Sequence, residues 1–113
     1  MHELGVVMAI TEQVQDLMKE HQLEQVDTIV LQIGELSSMI PHYVEACYPA
    51  AIDGTPLEQT ELKIEIIPAN ALCHGCQQVF NIIQHGNHCP ECQSEQWGLL
   101  SGKEFILKEI VAA

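Results

Sequence analysis

An α+β fold, with a small mixed sheet, two helices and an inserted cysteine-rich subdomain, is predicted by three observations. Apolar residues recur at helical spacing over residues 4–21. Three short segments, 26–33, 61–67 and 104–111, are rich in Ile, Val and Leu and end at Gly or Pro or near the chain end. Between the last two segments, residues 70–98 change character. They hold four cysteines, three histidines, three glycines and the single tryptophan. A chain of 113 residues can bury roughly two-thirds of its unfolded surface, enough for one core plus a small appendage. The predicted division is therefore 1–69 with 99–113 as one α/β domain, and 70–98 as a subdomain inserted into it.

The elements follow in order. Leu4, Val7, Met8, Thr11, Val14, Leu17, Met18 and His21 keep the i, i+3, i+4 rhythm of an amphipathic helix, with Glu12, Asp16, Lys19 and Glu20 on the other side. Val26, Ile29, Val30, Leu31 and Ile33 place apolar groups on both faces, as expected of a strand covered on both sides. Gly34-Glu35-Leu36-Ser37-Ser38 reads as a loop. Pro41 suits the first turn of a second helix, 41–52, and Pro49 is expected to kink or shorten it. Asp53-Gly54-Thr55-Pro56 is a stop and turn. Leu62, Ile64 and Ile66 alternate up to Pro68, and Phe105, Ile106, Leu107, Ile110 and Val111 form the closing strand.

Charge narrows the partners. Sixteen acidic residues face four lysines and no arginine, a net charge of −12. Such a surface cannot neutralise a run of phosphates, so nucleic acid is a poor partner; cations or a basic protein face suit it better. The start lacks a basic signal region, and no window reaches the ~18 apolar residues that a membrane span requires. A cytoplasmic location is expected, where five cysteines point to metal ligands or free thiols rather than disulfides.

Cys73-x2-Cys76-x12-Cys89-x2-Cys92 is the strongest signal. A C-x2-C pair on a tight turn aims two thiolates at one point, and two such knuckles complete a tetrahedron, the geometry of structural Zn(II). Gly75 and Pro90 favour sharp turns, and the intervening residues suit a hairpin with His85-Gly86-Asn87 at its tip. Two disulfides or a rubredoxin-type iron centre are the alternatives. His74 and His88 flank the quartet and are read as solvated rather than as ligands. Cys47, alone on the second helix, reads as a small buried hydrophobe.

The first residues offer a second site. His2 is bulky, so the initiator Met1 is expected to stay. The α-amine, the His2 backbone nitrogen and imidazole, and the Glu3 backbone nitrogen can ligate one ion in a plane, as Ni(II) and Cu(II) prefer. A frayed, solvated terminus is the competing reading. No phosphate-binding glycine loop is present, Ser37 and Ser38 have no base beside them, and Glu35 reads as a solvated loop carboxylate. No enzyme activity is therefore expected.

Taken together these residues resemble the HypA/HybF family of hydrogenase maturation factors. The resemblance rests on Met1-His2-Glu3-Leu4 before a helix, on Ile33-Gly34-Glu35-Leu36-Ser37, on Gly54-Thr55 before an alternating strand, on the cysteine quartet with its Cys89-Pro90-x-Cys92 knuckle, and on the closing strand. It covers essentially the whole chain. It implies a nickel metallochaperone that binds transient Ni(II) through Met1, His2 and Glu3, with structural Zn(II) held by Cys73, Cys76, Cys89 and Cys92 in a zinc-ribbon-like insertion. Implied partners are the GTPase HypB, the large subunit of [NiFe] hydrogenase and, for some members, urease maturation proteins; monomer and homodimer both remain open. The family's histidine partners of the zinc cysteines are placed differently here. A zinc-ribbon interaction module that carries no nickel is the alternative, and a redox protein built on the cysteine pairs is a third.

Overall fold

The structure, a computed structural model, describes residues 2–112. In chain order the elements are α1 (Glu3–Glu20), β1 (Val26–Gly34), α2 (Pro41–Ile52), β2 (Glu61–Ile67), β3 (Asn70–Cys73), β4 (Val79–Asn81), α3 (Ile82–His85), β5 (Trp97–Leu99) and β6 (Phe105–Ala112). The fold is α+β, with two three-stranded sheets ordered β2-β1-β6 and β4-β3-β5. The chain divides into two compact units. The first comprises Met1–Gln32, Met39–Glu65 and Ile106–Ala113, and the second Ile33–Ser38 and Ile66–Phe105.

In the first unit, α1 buries Glu3, Val7, Thr11, Val14 and Met18, a single face at steps of four and three. The expected stripe thus runs on to the N-terminal side through Glu3, while Leu4 and Met8 stay 41% and 45% exposed. The helix ends where Gln22 turns to φ 56° and Leu23 N–H returns to the Met18 carbonyl at 2.8 Å, a Schellman-type closure. Pro49 does not shorten α2. It lies in the last turn, where one missing N–H costs a single bond, while Tyr48, Ala51 and Ile52 on either side of it remain buried. Tyr48 donates its hydroxyl to the Thr60 carbonyl at 2.9 Å, and Thr60 donates to the Val26 carbonyl at 2.6 Å. Burial pushes the Tyr48 hydroxyl up to about 12, so it remains a donor. Gln32, Glu65 and Lys108, one from each strand of the first sheet, meet through Glu65 Oε1 at 3.2 and 3.0 Å.

In the second unit, the loop after β1 is tied down by backbone bonds. Gly34 N–H donates to the Glu104 carbonyl, Glu35 N–H to Ile67 and Leu36 N–H to Gly102, at 2.8, 2.9 and 2.7 Å. A Cβ on Gly34 would land on the Gly102 carbonyl, which is why the loop begins with glycine there. Glu35 is exposed, as expected of a loop carboxylate, but it also makes a specific clasp. Its Oε1 accepts from the Ala69 N–H at 2.8 Å and from Asn81 Nδ2 at 3.0 Å, and the Asn81 amide with the Ala69 N–H holds its carboxyl below the usual 4.5. Asn81 in turn caps α3, its Oδ1 accepting from the Ile83 and Gln84 N–H groups.

Candidate metal centre

The four cysteines are brought together by two copies of one turn. In the first, Cys73 closes β3 and the chain reverses into β4, antiparallel with Ala71 opposite Phe80. Cys73 N–H bonds the Gln78 carbonyl, Gln77 N–H bonds back to the Cys73 carbonyl, and Gln77 sits at φ 65°. In the second, Cys89 N–H bonds the Ser94 carbonyl, Gln93 N–H bonds the Cys89 carbonyl, and Gln93 sits at φ 63°. Even the glutamine side chains correspond, reaching the His74 and Pro90 carbonyls at 3.3 and 3.4 Å. The left-handed residue after each pair turns the following backbone away while leaving N–H groups aimed at sulfur. Gly75 N–H reaches Cys73 Sγ at 3.3 Å and Glu91 N–H reaches Cys89 Sγ at 3.4 Å, the same offset in both knuckles.

The result is a cluster of four Sγ atoms within 4.8 Å of one another. The knuckles meet through Cys73 with Cys92 at 3.5 Å and Cys76 with Cys89 at 3.6 Å. A disulfide requires about 2.05 Å, so these are thiol contacts. Bonds of about 2.3 Å from one tetrahedral ion to four sulfurs place the sulfurs roughly 3.8 Å apart, and the two contacts across the knuckles lie just below that figure. Among the described residues this is the one group of three or more His, Cys, Asp or Glu ligand atoms that converges in this way.

Electrostatics reinforces the fit. The Cys76 backbone N–H above all, with help from the Cys92 thiol and the Gly75 N–H, holds the Cys73 thiol down to about 7 from 9.0. At Cys76 the Gln78 N–H also favours the thiolate, but burial and the three neighbouring sulfurs outweigh it and push the thiol up to about 12. At Cys92 the Ser94 N–H is likewise outweighed, chiefly by Cys73 and burial. Four thiols packed this closely cannot all ionise by themselves. A divalent cation removes the conflict, because every sulfur can then be deprotonated.

Around the sulfurs lies a small core of Ala71, Cys73, Phe80 and Cys89, with Cys76, Ile82 and Trp97 packed against it. Trp97 meets Phe80 edge-on at 6.3 Å and donates its indole N–H to the Asn87 carbonyl at 2.9 Å. His74 and His88 are both exposed. His74 rests against Gly98, and neither histidine joins the sulfur cluster. The expected hairpin tip at residues 85–87 is instead the end of α3 and its Gly86 cap at φ 73°. The signal was present in the sequence, as an Asn81 cap and a Gly86 stop bracketing one helical turn. The repeated Cys-x-x-Cys-Gln was an equally readable sign of the paired left-handed turns. Cys47 is half-buried on α2 and is not one of the clustered sulfurs.

Of the residues expected at the N-terminal site, Met1 lies outside the described residues. His2 is exposed and forms the N-cap of α1, its carbonyl accepting from Val6 N–H at 3.2 Å. Glu3 follows on the buried face at 4% exposure. No helix among the described residues is long and apolar enough to cross a membrane.

The profile of the family described as "Hydrogenase/urease nickel incorporation, metallochaperone, hypA" matches residues 1–112. The chain belongs to the HypA family. Among its relatives, the hydrogenase maturation factor HypA of Chlorobium limicola is 34% identical over 97% of this chain and 95% of its own length. The hydrogenase maturation factor HybF of Salmonella typhimurium is 32% identical over 97% of each. Relatives of both names thus lie at similar distance from this member of the HypA family. The solution structure of the Ni metallochaperone HypA from Helicobacter pylori aligns with a TM-score of 0.65 and 22% identity over 99% of this chain and 97% of that one. A second solution structure of a HypA protein aligns with a TM-score of 0.72. These alignments establish a shared fold.

Proposed function

We propose that this HypA family member carries Ni(II) at its N-terminus for insertion into [NiFe] hydrogenase, and holds a permanent Zn(II) with Cys73, Cys76, Cys89 and Cys92. The cargo site uses the Met1 amine, the His2 imidazole and backbone nitrogen, and Glu3. Residues 1–69 and 99–113 form the nickel-handling domain, and 70–98 the zinc subdomain. The GTPase HypB and the hydrogenase large subunit are its partners, with urease maturation proteins as a further group. It acts in the cytoplasm as a carrier and not as an enzyme.

The observation that carries this reading is the family match across residues 1–112, which takes in His2 as well as the quartet. The two sites also differ in the way a carrier requires. Four thiolates close the shell of a zinc ion and leave no position for exchange, so that ion supplies folding energy and rigidity. His2 is exposed at a helix start and offers few ligands, which suits an ion that must leave again. Loading through an amine and amides releases protons, so nickel affinity falls as pH falls.

Isothermal titration of the metal-replete chain with NiCl2 tests the proposal. The expected result is about one Ni(II) per chain, lost in His2→Ala and weakened by one extra residue before Met1, with zinc content unchanged in all three. Equal nickel affinity in the three proteins would remove the N-terminal site and favour an interaction module without cargo.

A further inference from the structure

The small sheet β4-β3-β5 leaves β4 at an edge. Cys73 N–H bonds the Gln78 carbonyl and Ile82 N–H bonds the Ala69 carbonyl. Hydrogen-bonded pairs alternate in an antiparallel ladder, so with Ala71 opposite Phe80 it is Phe80 that bonds β3. Val79 and Asn81 therefore turn their backbone groups away from the sheet. The Asn81 carbonyl is taken by the first turn of α3, as at any helix N-cap. The Val79 N–H, the Val79 carbonyl and the Asn81 N–H remain as a donor, acceptor, donor row along the edge. Natural edges are blunted by short strands, lysine, proline or a bulge. β4 is short, with three residues, so it offers a single partner strand only a brief row. Neither lysine, proline nor a bulge guards it as well, and Val79 and nearby Ile83 are 56% and 53% exposed.

Beside this edge lies a cleft of about 480 Å³, lined by Asn70, Gln78, Asn81, Gln84, His85 and Glu91 among others. Glu91 is the one carboxylate in its lining. No lysine or arginine occurs between residues 64 and 102. We propose that the β4 edge and this cleft dock an extended, cationic segment of a partner protein, which joins the sheet as a fourth strand. The residue opposite Val79 exchanges both backbone bonds with it and lies in the row that already contains Leu72, so an apolar side chain fits there. Basic side chains flanking it answer Glu91 and a chain of net charge −12. A second copy of this chain brings like charge to the same edge and is disfavoured. The proposal concerns partner docking and stands independently of where nickel binds.

The test uses the full-length, zinc-replete chain and three blocked peptides: Lys-Val-Lys-Val-Lys, its variant N-methylated at both valines, and Glu-Val-Glu-Val-Glu. Binding is read by fluorescence anisotropy and by amide hydrogen exchange. The lysine peptide is expected to bind and to slow exchange at Val79 and Asn81. N-methylation, which removes donors but keeps charge, is expected to weaken it about tenfold or more. The acidic peptide should not bind, and Glu91→Gln should weaken the lysine peptide about two- to fivefold. Equal binding of the N-methylated peptide would reduce the effect to bulk charge and overturn the proposal. So would protection at Trp97 and Leu99 in place of Val79 and Asn81, or concentration-dependent protection of the β4 amides with no peptide present.

Discussion

Removing the metal from the quartet should unfold the second unit's cysteine-bearing segment while the long helices persist. The magnitude follows from what that segment buries. Its buried cluster has four members, and two of them, Cys73 and Cys89, belong to the sulfur quartet proposed to hold the metal. Phe80 is the single large side chain left, and burying one phenylalanine contributes about 2–3 kcal/mol. Structural zinc in comparable sites contributes about 10–16 kcal/mol at neutral pH. A loss of that size is as large as the whole stability of a small domain, about 5–15 kcal/mol. The assay is unusually clean. Trp97 is the only tryptophan and sits in this unit, its ring against Phe80 and its N–H on Asn87. Helical circular dichroism instead reports α1 and α2, with 18 and 12 residues against four in α3. Chelation should shift Trp97 emission to that of a solvated indole, leave the helical signal in place, and reverse on adding one equivalent of Zn(II). If Trp97 emission stays native after elemental analysis finds no metal, the sulfur cluster does not organise the segment and the reasoning fails.

Three further outcomes are expected. Glu35→Gln should destabilise the clasp between Ala69 and Asn81 at neutral pH. Because the native carboxyl is held below 4.5, its contribution is complete above that value and disappears as pH falls through the lower, folded-state value. The gap between wild-type and variant urea midpoints should close in acid, and a pH-independent gap would contradict it. Gly34→Ala drives a methyl group into the Gly102 carbonyl and should cost about 2–3 kcal/mol in urea unfolding; an unchanged midpoint would mean the loop has room to move. Tyr48→Phe should cost about 1 kcal/mol through the lost bond to Thr60. It should also abolish a fall in wild-type stability between pH 10 and 12, which arises because the unfolded tyrosine ionises first.

The α1 stripe was legible because helical burial follows a local period, and Val7, Thr11, Val14 and Met18 are buried as spaced. Where that stripe ends was not legible: Leu4 and Met8 carry the right spacing yet lie exposed, and Glu3 is buried in their stead. Periodicity marks a face, but what covers the face is set by other parts of the chain. Strands at 26–34, 61–67 and 105–112 fall within a residue of expectation, since continuous β-branched runs bounded by Gly and Pro have few alternatives. The cysteine-rich segment was harder. Its three strands are each three or four residues long, too short for any period to show.

By itself the sequence determined the α+β class, the sulfur quartet and its pairing into two knuckles, because ligand spacing and hydrophobic rhythm are properties of neighbouring residues. Tertiary structure alone decided how Glu35 comes to clasp Asn81, 46 positions away, and how the Phe80 and Trp97 rings meet beside the sulfurs. It also decided that β4 ends its sheet with backbone groups facing outward. Each of these depends on which distant segments are brought together, and a one-dimensional pattern does not specify that.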